Sequence, residues 1–132
     1  MNEIDLQLVE QRIRNRLIEY VECVQEYQGV SEPRLGMNEL LDQWEDFITR
    51  PVDESNFPAP VFTGDELSAL NHLDAAWELL CSATPDHIPY DSDSDVFKLR
   101  EWVNFVNYAG EALEVFHRRG KLSEDVPLQA MA

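Results

Sequence analysis

The densest set of potential ligands is Asp91-Ser92-Asp93-Ser94-Asp95, three carboxylates at alternate positions. Oxygen donors in that rhythm suit a hard cation such as calcium, but a calcium loop also needs glycine at its sixth place and glutamate at its twelfth. Val96 and Trp102 stand there, so that loop is excluded. Acids before a helix start are otherwise explained by the dipole and the free N–H groups they meet. His72, His87 and His117 form no pair four residues apart and no H-E-x-x-H, so no metal centre is expected. Cys23 and Cys81 lie far apart with no CxxC and no Lys, Arg or His beside them, as expected for reduced packing thiols. No G-x-S-x-G is present, and five scattered glycines make no phosphate-cradling loop. The residues therefore predict no catalytic group, no cofactor and a non-enzymatic role.

One carboxylate pattern points the other way. Glu19-x-x-Glu22 followed by Glu39-x-x-Asp42 resembles the ExxE…ExxD spacing of the all-α nucleotide pyrophosphohydrolases. That resemblance implies Mg²⁺ held against nucleotide phosphates. The helical phase opposes it, because Glu19, Glu22 and Asp42 all fall away from the apolar stripes of their helices. The enzyme is kept as the alternative reading.

These residues need elements to hold them, and the apolar periodicity supplies helices. Leu6, Val9, Ile13, Leu17, Tyr20, Val24 and Tyr27 make one stripe over 3–28, with Glu10 and Arg14 as an i,i+4 pair and Gly29 beyond the end. A second helix is expected over 38–50, carrying Leu40, Leu41, Trp44, Phe47 and Ile48, with Asn38 as N-cap and Pro51 as its stop. The run PVDESNFPAPVF, with three prolines, cannot be helical. Thr63 and Glu66 form a capping box, with Phe62 and Leu67 as the hydrophobic staple of a third helix ending near Thr84. Its stripe is Leu70, Leu73, Trp77, Leu80 and Cys81. A fourth helix is expected over 95–119, capped by Ser92 or Ser94 and closed by Gly120. The expected fold is all-α, a four-helix bundle with a Pro-rich crossover between helices two and three. Residues 1–120 form the single domain, and 121–132 read as a flexible C-terminal tail.

Charge is the most informative property. The 132 residues carry 26 acids and 10 bases, a net charge of −16. Residues 36–95 hold fourteen of the acids and one base, Arg50, whereas residues 96–132 hold five of each. Such an excess opposes nucleic-acid and anionic-membrane binding. MNEIDLQLVE has no secretory character, and no apolar run is long enough to span a bilayer, so a cytoplasmic setting is expected. Like charge over sixty residues costs stability but steers a basic partner. The sequence therefore predicts an acidic protein-interaction domain, an immunity- or antitoxin-like inhibitor or an adaptor, docking a basic protein. The candidate contact residues are Asp53, Glu54, Phe57, Asp86, Tyr90, Asp91, Asp93 and Asp95. A homodimer through helix four, at Phe97, Tyr108 and Val115, is the other expected association.

Overall fold

The computed structural model describes residues 3–27, 36–89 and 92–128. The chain is all-α: among the described residues there are five helices and no strand. They are α1 (Glu3–Glu26), α2 (Met37–Phe47), α3 (Gly64–Ala83), the short α4 (Asp93–Phe97) and α5 (Arg100–His117). Helix α5 is central, packing most extensively against α3 and also against α1 and α4, while α2 lies on α1. None of the helices described is long and apolar enough to cross a membrane.

Helix α3 starts as its residues predict. Thr63 Oγ1 accepts from the Glu66 N–H at 3.1 Å, and the Glu66 carboxylate accepts from the Thr63 N–H at 3.0 Å. Helix α2 differs at its start, where Gly36 is the N-cap. Asn38 instead clamps the chain beyond α3, giving 2.8 Å to the Ile88 carbonyl and accepting 2.9 Å from the Ile88 N–H.

The buried face of α1 is wider than the expected stripe, of which Leu17, Tyr20 and Val24 are buried and Ile13 and Tyr27 pack on the core. Leu17, Ile18, Val21 and Val24 are buried, but so are Gln11, Arg14 and Asn15, while Leu6 is 50% exposed. The buried face thus keeps most of the expected stripe and widens to take in polar residues at its N-terminal half. Arg14 does not pair with Glu10. It crosses the core to Glu66.

The single helix expected over 95–119 is two. Leu99 adopts an extended backbone between α4 and α5. A continuous helix would turn Phe97 and Trp102 to different faces. The break lets both meet Tyr27, with centroids 6.1 Å from it and 5.3 Å from each other.

Residues 48–63 join α2 to α3 without regular helix, yet they bury Val52, Phe57, Val61 and Phe62. Phe57 packs edge-on against Phe62 at 5.1 Å, and Phe62 against Phe116 at 6.5 Å. Beyond Gly120, where the pattern predicts a tail, residues 121–128 lie along α1. Asn15 exchanges hydrogen bonds with the Leu122 backbone at 2.8 and 2.9 Å. The Gln11 amide donates to the Ser123 carbonyl at 2.7 Å and accepts from the Leu128 N–H at 2.7 Å. Two side chains on α1 thereby satisfy a segment that has no helix or sheet of its own.

Candidate docking face

Four acids of residues 36–95, Asp42, Glu45, Asp74 and Glu78, meet where α2 faces α3. On α2, Asp42 and Glu45 are three apart; on α3, Asp74 and Glu78 are four apart, so each pair shares a helix face. Two indoles tie the seam. Trp44 Nε1 donates to Asp74 Oδ1 at 2.8 Å, and Trp77 Nε1 donates to the Leu41 carbonyl at 2.9 Å. Trp44 is fully buried, whereas Trp77, expected in the core stripe, is only half-buried.

Arg50 is the sole base of residues 36–95, and it is already engaged. Its Nη2 and Nε grip Asp74 at 2.6 and 2.9 Å, its Nη1 reaches Glu45 at 3.0 Å, and its guanidinium lies 5.3 Å from the Trp77 ring centre. These hydrogen bonds, those donated to Asp74 above all, hold the guanidinium firmly charged. Burial pushes the neighbouring Cys81 thiol up to about 11, helped by the charges of Asp42, Glu45 and Glu78 and opposed by Arg50. Neither cysteine is in a disulfide, and the raised pKa of Cys81 disfavours its thiolate. Asp42, Asp46 and Glu78 are exposed, and no cation of the described residues lies within ion-pair distance of them.

The acidic surface extends towards α4. Glu39 and Asp93 line a small cavity of about 80 Å³ with Asn38, His87, Ile88 and Pro89. The Tyr27 hydroxyl donates to Asp93 at 3.1 Å; burial and that carboxylate push the phenol well above its ordinary range. Asp93 and Asp95 occupy the first turn of α4, and Asp86 is exposed in the connection before it.

Of the candidate contacts, Asp86, Asp93 and Asp95 thus belong to one end of this surface, with Glu39 joining them. Asp53 and Glu54 sit on the connection between α2 and α3. There the Ser55 hydroxyl and N–H both donate to Asp53, holding its carboxyl below the usual range and closing a local turn. Phe57 requires correction. It is 2% exposed and packed on Phe62, so no partner can reach it. Tyr90 and Asp91 lie outside the described residues.

The ExxE…ExxD carboxylates go to separate settings. Glu19 takes Arg16 at 2.6 Å and Lys121 at 3.0 Å, and those two hydrogen bonds lower its pKa. Glu22 is 3.9 Å from His117 on α5. Glu39 faces α4, and Asp42 stands by Cys81. Among the described residues, no group of three or more His, Cys, Asp or Glu is placed to hold a metal ion.

Sequence reasoning also missed the buried ion cluster beneath the Thr63 cap. Arg14 Nη2 meets Glu66 Oε2 at 2.8 Å with both side chains sealed from water, and Arg119 Nη2 meets Glu66 Oε1 at 2.7 Å. Arg14 also donates to the Gly120 and Phe116 carbonyls, and Arg119 to those of Pro60 and Val61. The signal was present: Arg14 stands three, four and seven residues before Leu17, Ile18 and Val21, the positions that share its helix face. The chain matches no protein-family model, no curated protein and no solved structure.

Proposed function

We propose that this chain is a non-catalytic protein-interaction domain that docks a basic protein, as an immunity- or antitoxin-like inhibitor or an adaptor does. The observation that carries the reading is the state of Arg50. The one cation among fourteen acids is held between Glu45 and Asp74, and no cation of the described residues lies within ion-pair distance of the exposed Asp42, Asp46, Glu78 and Asp95. Folding brings Arg14 and Arg119 to Glu66 and Arg118 to Asp65 but no cation to those four, and a basic partner would supply one. The carboxylates steer the approach, and Trp77, half-buried under Arg50, offers the aromatic surface that supplies affinity at the centre of an interface.

In this reading the four long helices serve as a four-helix bundle, and the Pro-rich crossover packs its phenylalanines inward. The interaction surface is thereby drawn from α2, α3 and the acids about α4. A cytoplasmic setting suits the two free thiols. Nucleic acid and anionic membrane are disfavoured as direct partners by the same negative field.

A titration of the isotope-labelled chain with a short oligolysine, followed through its amide resonances, tests the location. The largest shifts are expected about Asp42, Glu45, Glu78, Asp93 and Asp95, fading at high salt. Shifts spread evenly over the chain, or centred on α5, would remove the basis for this face.

A further inference from the structure

We infer that α5 is the contact between two copies of this chain, packed antiparallel about a two-fold axis beside residues 105 and 106. The inference is separate from the docking face, because it uses the opposite charge regime.

A molecule with a net charge of −16 repels its own copy, so self-association needs a neutral surface. The outer face of α5 provides it, with Arg100 and the C-cap Arg118 set against Glu111 and Glu114. The solvent face of α5 carries Arg100, Val103, Asn104, Asn107, Tyr108, Glu111 and Glu114, all exposed. Their spacing is self-complementary. A two-fold contact matches residue i to j and j to i. Reversing the helix about the point between 105 and 106 brings Arg100 level with the second copy's Glu111, and Asn104 level with its Asn107. The Arg100–Glu111 pair then forms twice across the contact.

Apolar surface stands on both flanks of that row. Val103 is 48% exposed on one side; on the other, Tyr108 is 38% and Leu79 of α3 is 62% exposed. Between α3 and α5 lies a cleft of about 210 Å³ lined by His72, Ala75, Leu79, Asn104 and Tyr108. Tyr108 leans on His72, with ring centres 5.9 Å apart. In the antiparallel register the second copy's Tyr108 falls level with residues 101–104, over this cleft. The dimer edge expected from sequence changes accordingly. Phe97 is half-buried in the Tyr27–Trp102 cluster and Val115 packs on the core, which leaves Tyr108 from that set.

Sedimentation of the full chain from about 5 to about 500 µM tests the proposal with four proteins: wild type, Arg100→Glu, Glu111→Arg, and the double exchange. Wild type should dimerise, each single variant should weaken the dimer about tenfold or more, and the double exchange should restore it. A wild type that stays monomeric throughout would overturn the inference. So would single variants that dimerise like wild type, or a double exchange that fails to recover. None of these results bears on the α2–α3 face, which contains neither residue.

Discussion

Glu66 answers to three partners, Thr63, Arg14 and Arg119, and is 1% exposed. Burial alone would raise its pKa, but the hydrogen bonds from Arg14 and Arg119 outweigh it, so the carboxyl titrates below its ordinary 4.5. A depressed folded pKa contributes stability that is complete above the unfolded value and lost as pH falls through the folded one. Glu66→Gln should therefore lower stability at neutral pH and flatten the acid limb of a stability–pH profile below pH 4.5. An unchanged acid limb would mean the cluster contributes nothing to folding. Arg14→Met leaves a buried carboxylate with one cation fewer and should cost about 3–5 kcal/mol in urea denaturation. Glu10 presents the opposite case. Its Oε2 is shut off from water with no hydrogen-bond partner among the described residues, and burial raises its pKa. Glu10→Gln should be stabilising at neutral pH, with the gain shrinking once the wild-type carboxyl is protonated.

Local rules fix some elements and miss others. The capping box at Thr63 involves neighbours in sequence only, so it is legible from the residues alone, and Thr63→Ala should cost about 1–2 kcal/mol while Thr63→Ser costs little. Calorimetry of the two variants checks that difference. The break at Leu99 has no glycine or proline to announce it. It serves a stack with Tyr27, a residue more than sixty positions away, so its cause is tertiary. The width of the buried face of α1 was obscured for a related reason. Hydrophobicity marks Arg14 and Asn15 as solvent groups, whereas backbone carbonyls around residues 116–122 and Glu66 make burial favourable for them. The docking of residues 121–128 follows from Asn15 together with Gln11, and from nothing periodic in that segment.

At the scale of the molecule, charge asymmetry was readable from counting, but its arrangement was not. Sequence order placed the acids on α2, α3 and the loops; only packing brings Asp42 and Glu45 towards Glu78, and only packing brings Asp74 to Arg50. The expected aromatic anchor at Phe57 failed because a proline-rich connection can still bury its rings. Self-repulsion at a net charge of −16 should be visible directly. Thermal midpoints should rise by a few degrees, about 2–6 °C, between low and moderate salt as the field is screened, and a fall with salt would contradict it.

The most direct measurement of the central claim is capture from lysate of the source cells, comparing wild type with a variant carrying Asp42→Lys, Glu78→Lys and Asp95→Lys. These three side chains are exposed, so the fold should survive their replacement. The account predicts that wild type retains a basic protein in stoichiometric amount, releases it as salt rises, and that the variant does not retain it. Equal retention by both chains, or no basic protein on wild type at any salt, would contradict the docking face.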